Sequence, residues 1–473
     1  MRGDDGRRLP VVVLLACVVF TTLGFLLKAP CLGNYNANRD RLLCSNDIQV
    51  LYGNRSMADR TFPYIHGDLV KGELVDGALE YPVLTGLFAW VPGQFTTNSS
   101  EYFLATAALL APFSLLTAWL LSRMVRWRAL LYALAPALIW YSFHNWDLLV
   151  VMVTVLAFYQ WWKGRPATAA MLLALGGCLK LWPLFFLVPL IAARLRDRDR
   201  GDALWVSFTA ALTVIAVNAW FVVVNFDGWW ASYEFQALRE ADITTNSIWF
   251  WGFPSLDRDT LNVVVPILFG LAFAGALVYG WVRAQRRDEP YPFLQVCAAI
   301  LCAFMLLNKV HSPQYALWLL PFFALVRLRW GWWVAYLAID ATLYVGLFRW
   351  FYDVAQGQDF GLAKQALVIG VWGRAVMLVL LFVVFLRSQP AVEQEQAELT
   401  WREAELAKVG PVPVNRPTPA GPRPGPGAGP GPAVSPPPSH QLAPRLAALD
   451  AHSPSPGVSR RRAAPGGRPS HRR

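Results

Sequence analysis

Few residues of this chain can do chemistry, because most of what surrounds them is apolar. Between positions 29 and 101 stand eight carboxylates, Asp40, Asp47, Asp59, Asp68, Glu73, Asp76, Glu80 and Glu101, against five Lys and Arg. Exposed carboxylates are ordinary on a water-facing surface, so most of these need no chemical role. One held within hydrogen-bond reach of a substrate hydroxyl can take its proton as a general base. Further along, Lys180, Arg239, Lys309, His311 and Gln314 offer positive charge and hydrogen-bond donors of the kind that stabilise an anion as it leaves. His144, Asn145 and Asp147 form a compact polar turn between two apolar blocks, where a turn must be polar in any case. Metal chemistry finds little support. Only His66, His144 and His311 precede position 387, with no paired spacing, and Asp197-Arg198-Asp199 lies in an arginine-rich loop that reads as an orientation signal.

The elements that must position these residues follow from composition. Of 473 residues, 55% are hydrophobic and 15% charged, and the apolar residues come in repeated blocks near membrane-spanning length. This excludes an ordinary soluble protein and predicts an all-α, polytopic helical bundle. Twelve spans are expected near 10–28, 102–122, 129–143, 148–162, 166–180, 181–193, 203–224, 260–282, 291–308, 314–326, 332–348 and 365–386. The arginines at 123–128, 194–200, 283–287 and 327–329 then fall between spans on one side, which the positive-inside rule makes cytoplasmic. Both termini lie on that side, and the polar residues collect on the extracytoplasmic face, with a long first loop. The net charge of +11 is therefore an orientation signal and a basic tail, not a nucleic-acid footprint.

Residues 81–92 are apolar but too short to cross a bilayer, and are expected as a re-entrant or interfacial helix on the outer face. Lys180-Leu181-Trp182-Pro183 should break two short helices, as cavity-lining helices often are. The first apolar run lacks a small-x-small cleavage site and is expected to remain as a spanning helix. Cys31 and Cys44 share the first polar loop and are the only pair placed to form an exported disulfide. Three parts are expected: a transmembrane domain over 1–386, a short cytoplasmic helix over 387–410, and a disordered Pro/Gly/Arg-rich cytoplasmic tail over 411–473.

Asn46-Asp47-Ile48-Gln49-Val50-Leu51-Tyr52, Phe62-Pro63-Tyr64, Glu80-Tyr81-Pro82-Val83-Leu84, Lys180-Leu181-Trp182-Pro183 and the run from Asn308-Lys309-Val310-His311-Ser312-Pro313-Gln314-Tyr315 to Pro321 resemble GT-C membrane glycosyltransferases. More closely, they are similar to glycosyltransferase family 87, bacterial mannosyltransferases that use polyprenyl-phosphate mannose. That family carries Tyr-Pro-Pro-Leu where this chain has Val83 as the third residue. The resemblance covers residues 10–386. It implies a GT-C fold in the cell membrane and inverting transfer of a hexose, mannose, from a polyprenyl-phosphate donor to an extracytoplasmic lipid or glycan acceptor; from the residues themselves, no metal or cofactor is expected. Placement on the outer face together with the resemblance gives Asp47 as the expected base, with Asp59 in reserve. Lys180, Lys309, His311, Gln314 and Arg239 would hold the donor phosphate, and Tyr52, Tyr81, His144 and Asp147 the sugar or acceptor. A transporter or flippase of lipid-linked saccharide is the alternative. It would use the same outer cavity without a base, and the lack of an internal hydropathy repeat disfavours it. A scaffold acting through its Pro-rich tail is the third reading.

Overall fold

A computed structural model describes residues 5–359 and 361–392. The expected helix over 387–410, beyond its first residues, and the tail over 411–473 lie outside them. Apart from a hairpin of two three-residue strands, Asp68–Val70 and Glu73–Val75, the regular elements among the described residues are helices. The hairpin turns through Lys71 and Gly72, both at positive φ (53° and 84°), the backbone a two-residue turn of this hand requires.

Six helical stretches among the described residues are long and apolar enough to cross a membrane: Leu9–Cys31, Ser99–Ala133, Arg200–Val224, Arg258–Arg287, Trp330–Ala355 and Leu362–Arg387. Five other expected spans are shorter helices: Asp147–Trp162, Pro166–Gly177, Leu187–Arg196, Phe293–Leu307 and Ala316–Leu325. The sixth, 129–143, is not a continuous helix. It is broken into Leu130–Ala133 and Pro136–Tyr141, because Pro136 brings no N–H and holds Ala135 extended at ψ 123°. The expected break at Pro183 is present as a short 3-10 turn, Trp182–Phe186, before Leu187–Arg196. Residues 81–92 contain one short helix, Val83–Gly93, that begins after Pro82.

The last two long helices pack as a tight hairpin. A Cβ on Gly370 would lie 2.6 Å from the Leu343 backbone, and one on Gly346 would lie 2.5 Å from the Leu367 nitrogen. Small residues here let two backbones approach, the usual device where lipid removes the hydrophobic drive between helices.

The helix ends separate the molecule chemically. At one end arginines cap carbonyls: Arg128 donates to Phe323, Ala324 and Val326, and Arg283 to Leu386 and Ser388, while Arg196 meets Asp288 at 3.3 Å. The backbone of Arg327 also bonds to Gln389, so residues 389–392 are stitched to this end. Asp199 caps Arg200–Val224 by accepting from the Asp202 N–H (2.8 Å). Asp257 does the same for Arg258–Arg287 (2.7 Å to the Thr260 N–H). Asp199, the last residue of Asp197-Arg198-Asp199, and Asp257 thus each have a structural role as a helix cap. The opposite end gathers the loops around residues 45, 81, 145, 180, 239 and 312.

Candidate active site

The loop after the first helix is fixed before it reaches Asp47. Cys31 and Cys44 are joined as a disulfide, with Cα atoms 5.8 Å apart. Lys28, fully buried at the end of the first helix, donates to the Ser45 carbonyl (2.7 Å) and the Tyr344 hydroxyl (3.1 Å), and Tyr344 donates in turn to the Leu43 carbonyl (2.5 Å). Asn46 then starts the helix Asp47–Asn54. Its side-chain oxygen accepts from the Gln49 N–H (2.8 Å) while its amide donates to the Gln49 side chain (2.9 Å), which holds the cap residue in place. The N–H of Asp47 itself donates to the His144 carbonyl at 2.7 Å, which ties the first loop to the polar turn.

Asp47 faces a cleft of about 240 Å³ lined also by Tyr81, His144, Lys180, Arg239 and Gln314. One carboxylate oxygen accepts from the Asn145 amide at 2.7 Å and the Gln314 amide at 3.4 Å. The Asn145 amide also donates to the Tyr81 hydroxyl (2.7 Å), and its oxygen accepts from Lys180 (3.3 Å). The second Asp47 oxygen lies 3.9 Å from His144 Nε2. His144 Nδ1 is 3.0 Å from the Ser45 carbonyl, which can only accept, so Nδ1 carries the hydrogen and Nε2 presents a lone pair. Burial pushes the imidazole down to about 3, helped by the Lys28 charge, so it is neutral and the 3.9 Å approach is not an ion pair. A hydroxyl placed between Nε2 and the carboxylate would meet two acceptors.

The Asp47 side chain keeps 38% of its surface open to the cleft, yet the protein encloses it on the other sides. That loss of water raises its pKa, opposed by the Asn145 hydrogen bond and by the charges of Lys180, Arg239 and Lys28. A base raised in this way holds a proton more strongly than an ordinary aspartate.

Lys180 is tethered to Asp147, at 2.6 Å, and Asp147 also accepts from the Trp318 indole at 2.7 Å. Asp147 is fully buried beneath the cleft and lies where it holds Lys180 and Trp318, not where it would meet a ligand. The Lys180 ammonium sits 5.4 Å from the Tyr81 ring centre and 5.5 Å from that of Trp318.

A second cavity, also about 240 Å³, shares Glu80, Tyr81, Lys180, Gln236 and Tyr315 with the first. Its far side is apolar, with Leu181, Trp182, Phe304 and Val310. Lys309 lines this cavity, donating to the Ala237 carbonyl (2.8 Å) and the Asn262 side chain (2.6 Å). Burial pushes Lys309 down to about 8, with Arg258 and Arg239 acting in the same direction.

Several residues named from sequence do not meet in the Asp47 cleft. Lys309 is in the neighbouring cavity, and His311 turns Nδ1 onto the Met305 carbonyl (2.7 Å). Tyr52 is packed against Tyr102 in the core, and Asp59 is exposed on the loop after the first helix. Other participants carried no sequence signal of their own. Asn145 was visible only as part of a polar turn, and Trp318 stands inside an apolar run. Lys28 ends a helix where a lysine usually snorkels to water. Glu80 is paired with Arg55 at 2.5 Å. Among the described residues, no three His, Cys, Asp or Glu side chains group as a metal site.

Residues 80–308, close to half of the chain, match the family model of glycosyltransferase family 87. The match includes Tyr81, Asn145, Asp147, Lys180 and Arg239, while Asp47 and the 309–314 loop stand outside it. No curated protein matches the chain.

Proposed function

We propose that this chain, a membrane glycosyltransferase of family 87, transfers mannose from a polyprenyl-phosphate donor to an extracytoplasmic lipid or glycan acceptor with inversion at the anomeric carbon. The observation that carries this reading is the pairing of cavities. A carboxylate held by two amides faces a polar cleft containing Lys180 and Arg239, and that cleft adjoins an apolar cavity across Tyr81 and Tyr315. A lipid-linked sugar has the same two halves.

In this reading Asp47 accepts the proton of the acceptor hydroxyl as its oxygen attacks the anomeric carbon. The bond from that carbon to the phosphate oxygen breaks, and the lipid phosphate leaves with the electron pair. Lys180 and Arg239 stabilise that anion, and Lys309 stands at the apolar side where the lipid phosphate can approach. A β-linked donor then gives an α-linked product by a single in-line displacement. The cleft end is extracytoplasmic and both termini are cytoplasmic. Supporting this, the arginines cluster at the other end and the Cys31–Cys44 pair lies on the cleft side.

The test is purified protein in lipid with synthetic polyprenyl-phosphate mannose and candidate acceptors, the product read by mass spectrometry. Asp47→Asn keeps shape and removes only the base, so transfer should fall about 100-fold to 10,000-fold with folding unchanged. Full activity in that variant would remove Asp47 from the mechanism, and bidirectional movement of intact donor without transfer would favour the flippase reading.

A further inference from the structure

Behind the cleft, three polar side chains from three separate segments converge on one small cavity. Asn246, His311 and Arg374 are 1%, 2% and 3% exposed, and the cavity they line measures about 10 Å³, room for about one water molecule. Arg374, in the Leu362–Arg387 helix, donates to the Asn246 carbonyl at 2.6 Å, and the Asn246 N–H donates to the His311 carbonyl at 3.0 Å. Both polar atoms of the Asn246 side chain, His311 Nε2 and Arg374 Nη1 are buried without a protein hydrogen-bond partner. Such atoms are rarely left unpaired in a native interior.

The chemistry of the donors narrows the occupant. His311 Nδ1 must carry a hydrogen because its partner, the Met305 carbonyl, only accepts. Burial and the Arg374 charge hold this imidazole neutral, so Nε2 is an acceptor. Arg374 Nη1 can only donate. The occupant must therefore donate to His311 and accept from Arg374 at once. A monatomic anion cannot donate, and a cation would face the guanidinium; water satisfies both.

We propose that this cavity is a site for one ordered water, and that Arg374, directly and through that water, is a positioning residue that locks together the two loops lining the cleft. Thr244 and Asn246 come from one loop, Ser312 and Gln314 from the other, and Gln314 reaches Asp47. Arg374 lines only the rear cavity, not the cleft, and acts through Asn246. Its effect on turnover rests on the glycosyl-transfer reading; its effect on the loops does not.

Two measurements on the full chain in lipid nanodiscs need no turnover. A map that resolves ordered water should show density within hydrogen-bond reach of His311 Nε2 and Arg374 Nη1. In hydrogen exchange, Arg374→Met should speed exchange in 242–247 and 308–314 about 10-fold or more, the expected result of losing charge-assisted hydrogen bonds, with Arg374→Lys intermediate. In the transfer assay the same order should appear in kcat/KM per folded molecule. An empty cavity, an Asn246 side chain bonded directly to His311, or unchanged exchange in both loops of a folded Arg374→Lys protein would overturn the proposal. Wild-type protein that transfers no sugar would count against the proposed function and leave these two measurements decisive.

Discussion

Asp47 combines a raised pKa with hydrogen bonds that hold one oxygen still, and the two properties make separate predictions. In the proposed mechanism the base must be ionised, so kcat/KM should fall as pH drops through the Asp47 pKa. The midpoint should lie above the ordinary aspartate value of about 4. Asn145→Asp replaces a neutral donor 2.7 Å away with a second carboxylate, so the acid limb of that profile should move to still higher pH. A limb that stays in place would show that Asp47 is not the titrating group. Lys309 lies away from Asp47, so Lys309→Met should raise the donor KM about 10-fold and change kcat much less. An equal fall in kcat would place its charge in the transition state instead. Asp47 and the 308–314 run were legible because their residue types and neighbours form a motif. The division of that run was not: whether Lys309 and His311 face one cavity or two depends on backbone turns that spacing does not encode.

Among the elements, the helix Phe226–Leu238 illustrates how a distant contact sets the cleft. It carries Gln236, which donates to the Glu80 carbonyl at 3.1 Å, and delivers Arg239 just beyond its end. Its first turn rests on the loop after the first helix at Gly228, where a Cβ would lie 2.1 Å from the Tyr64 carbonyl and 2.6 Å from that of Gly67. Gly228→Ala must therefore lift the helix, and kcat/KM should drop about 10-fold to 100-fold while helical content is kept. Gly270→Ala, with open space around it, is the control. A Gly228→Ala protein as active as the control would show that the helix does not set the site. Apolar block lengths revealed the long helices well, since length and hydropathy suffice there. They failed at 129–143, where Pro136 interrupts an otherwise apolar block, and could not reveal the Gly228 contact, which joins segments about 160 residues apart.

At the scale of the whole molecule, the two chemically distinct ends fix what topology experiments should find. The free cysteines among the described residues, Cys17, Cys178, Cys297 and Cys302, are buried, so an introduced thiol can be read against a low background. An impermeant reagent outside intact cells should label Ser312→Cys, and should reach Asp288→Cys only after permeabilisation; the reverse pattern would invert the proposed orientation. Removal of 411–473 should leave transfer unchanged, whereas a scaffold would lose its function. A cut at 390 would be a poorer test, because Ala391 and Val392 are buried against the body. The short helices next to the cleft and its neighbouring cavity carry a kinetic consequence. Asp147–Trp162, Pro166–Gly177 and Phe293–Leu307 have 16, 12 and 15 residues. At 1.5 Å per residue they reach only about 24, 18 and 22 Å, against a hydrocarbon core of about 30 Å. With the proposed lipid-borne donor, helices this short would leave the cleft below the level of the lipid head groups, and the donor would arrive sideways without leaving its leaflet. The concentration the enzyme senses is then moles of donor per mole of lipid: diluting vesicles with buffer leaves the rate per enzyme unchanged, while diluting the donor with inert lipid lowers it.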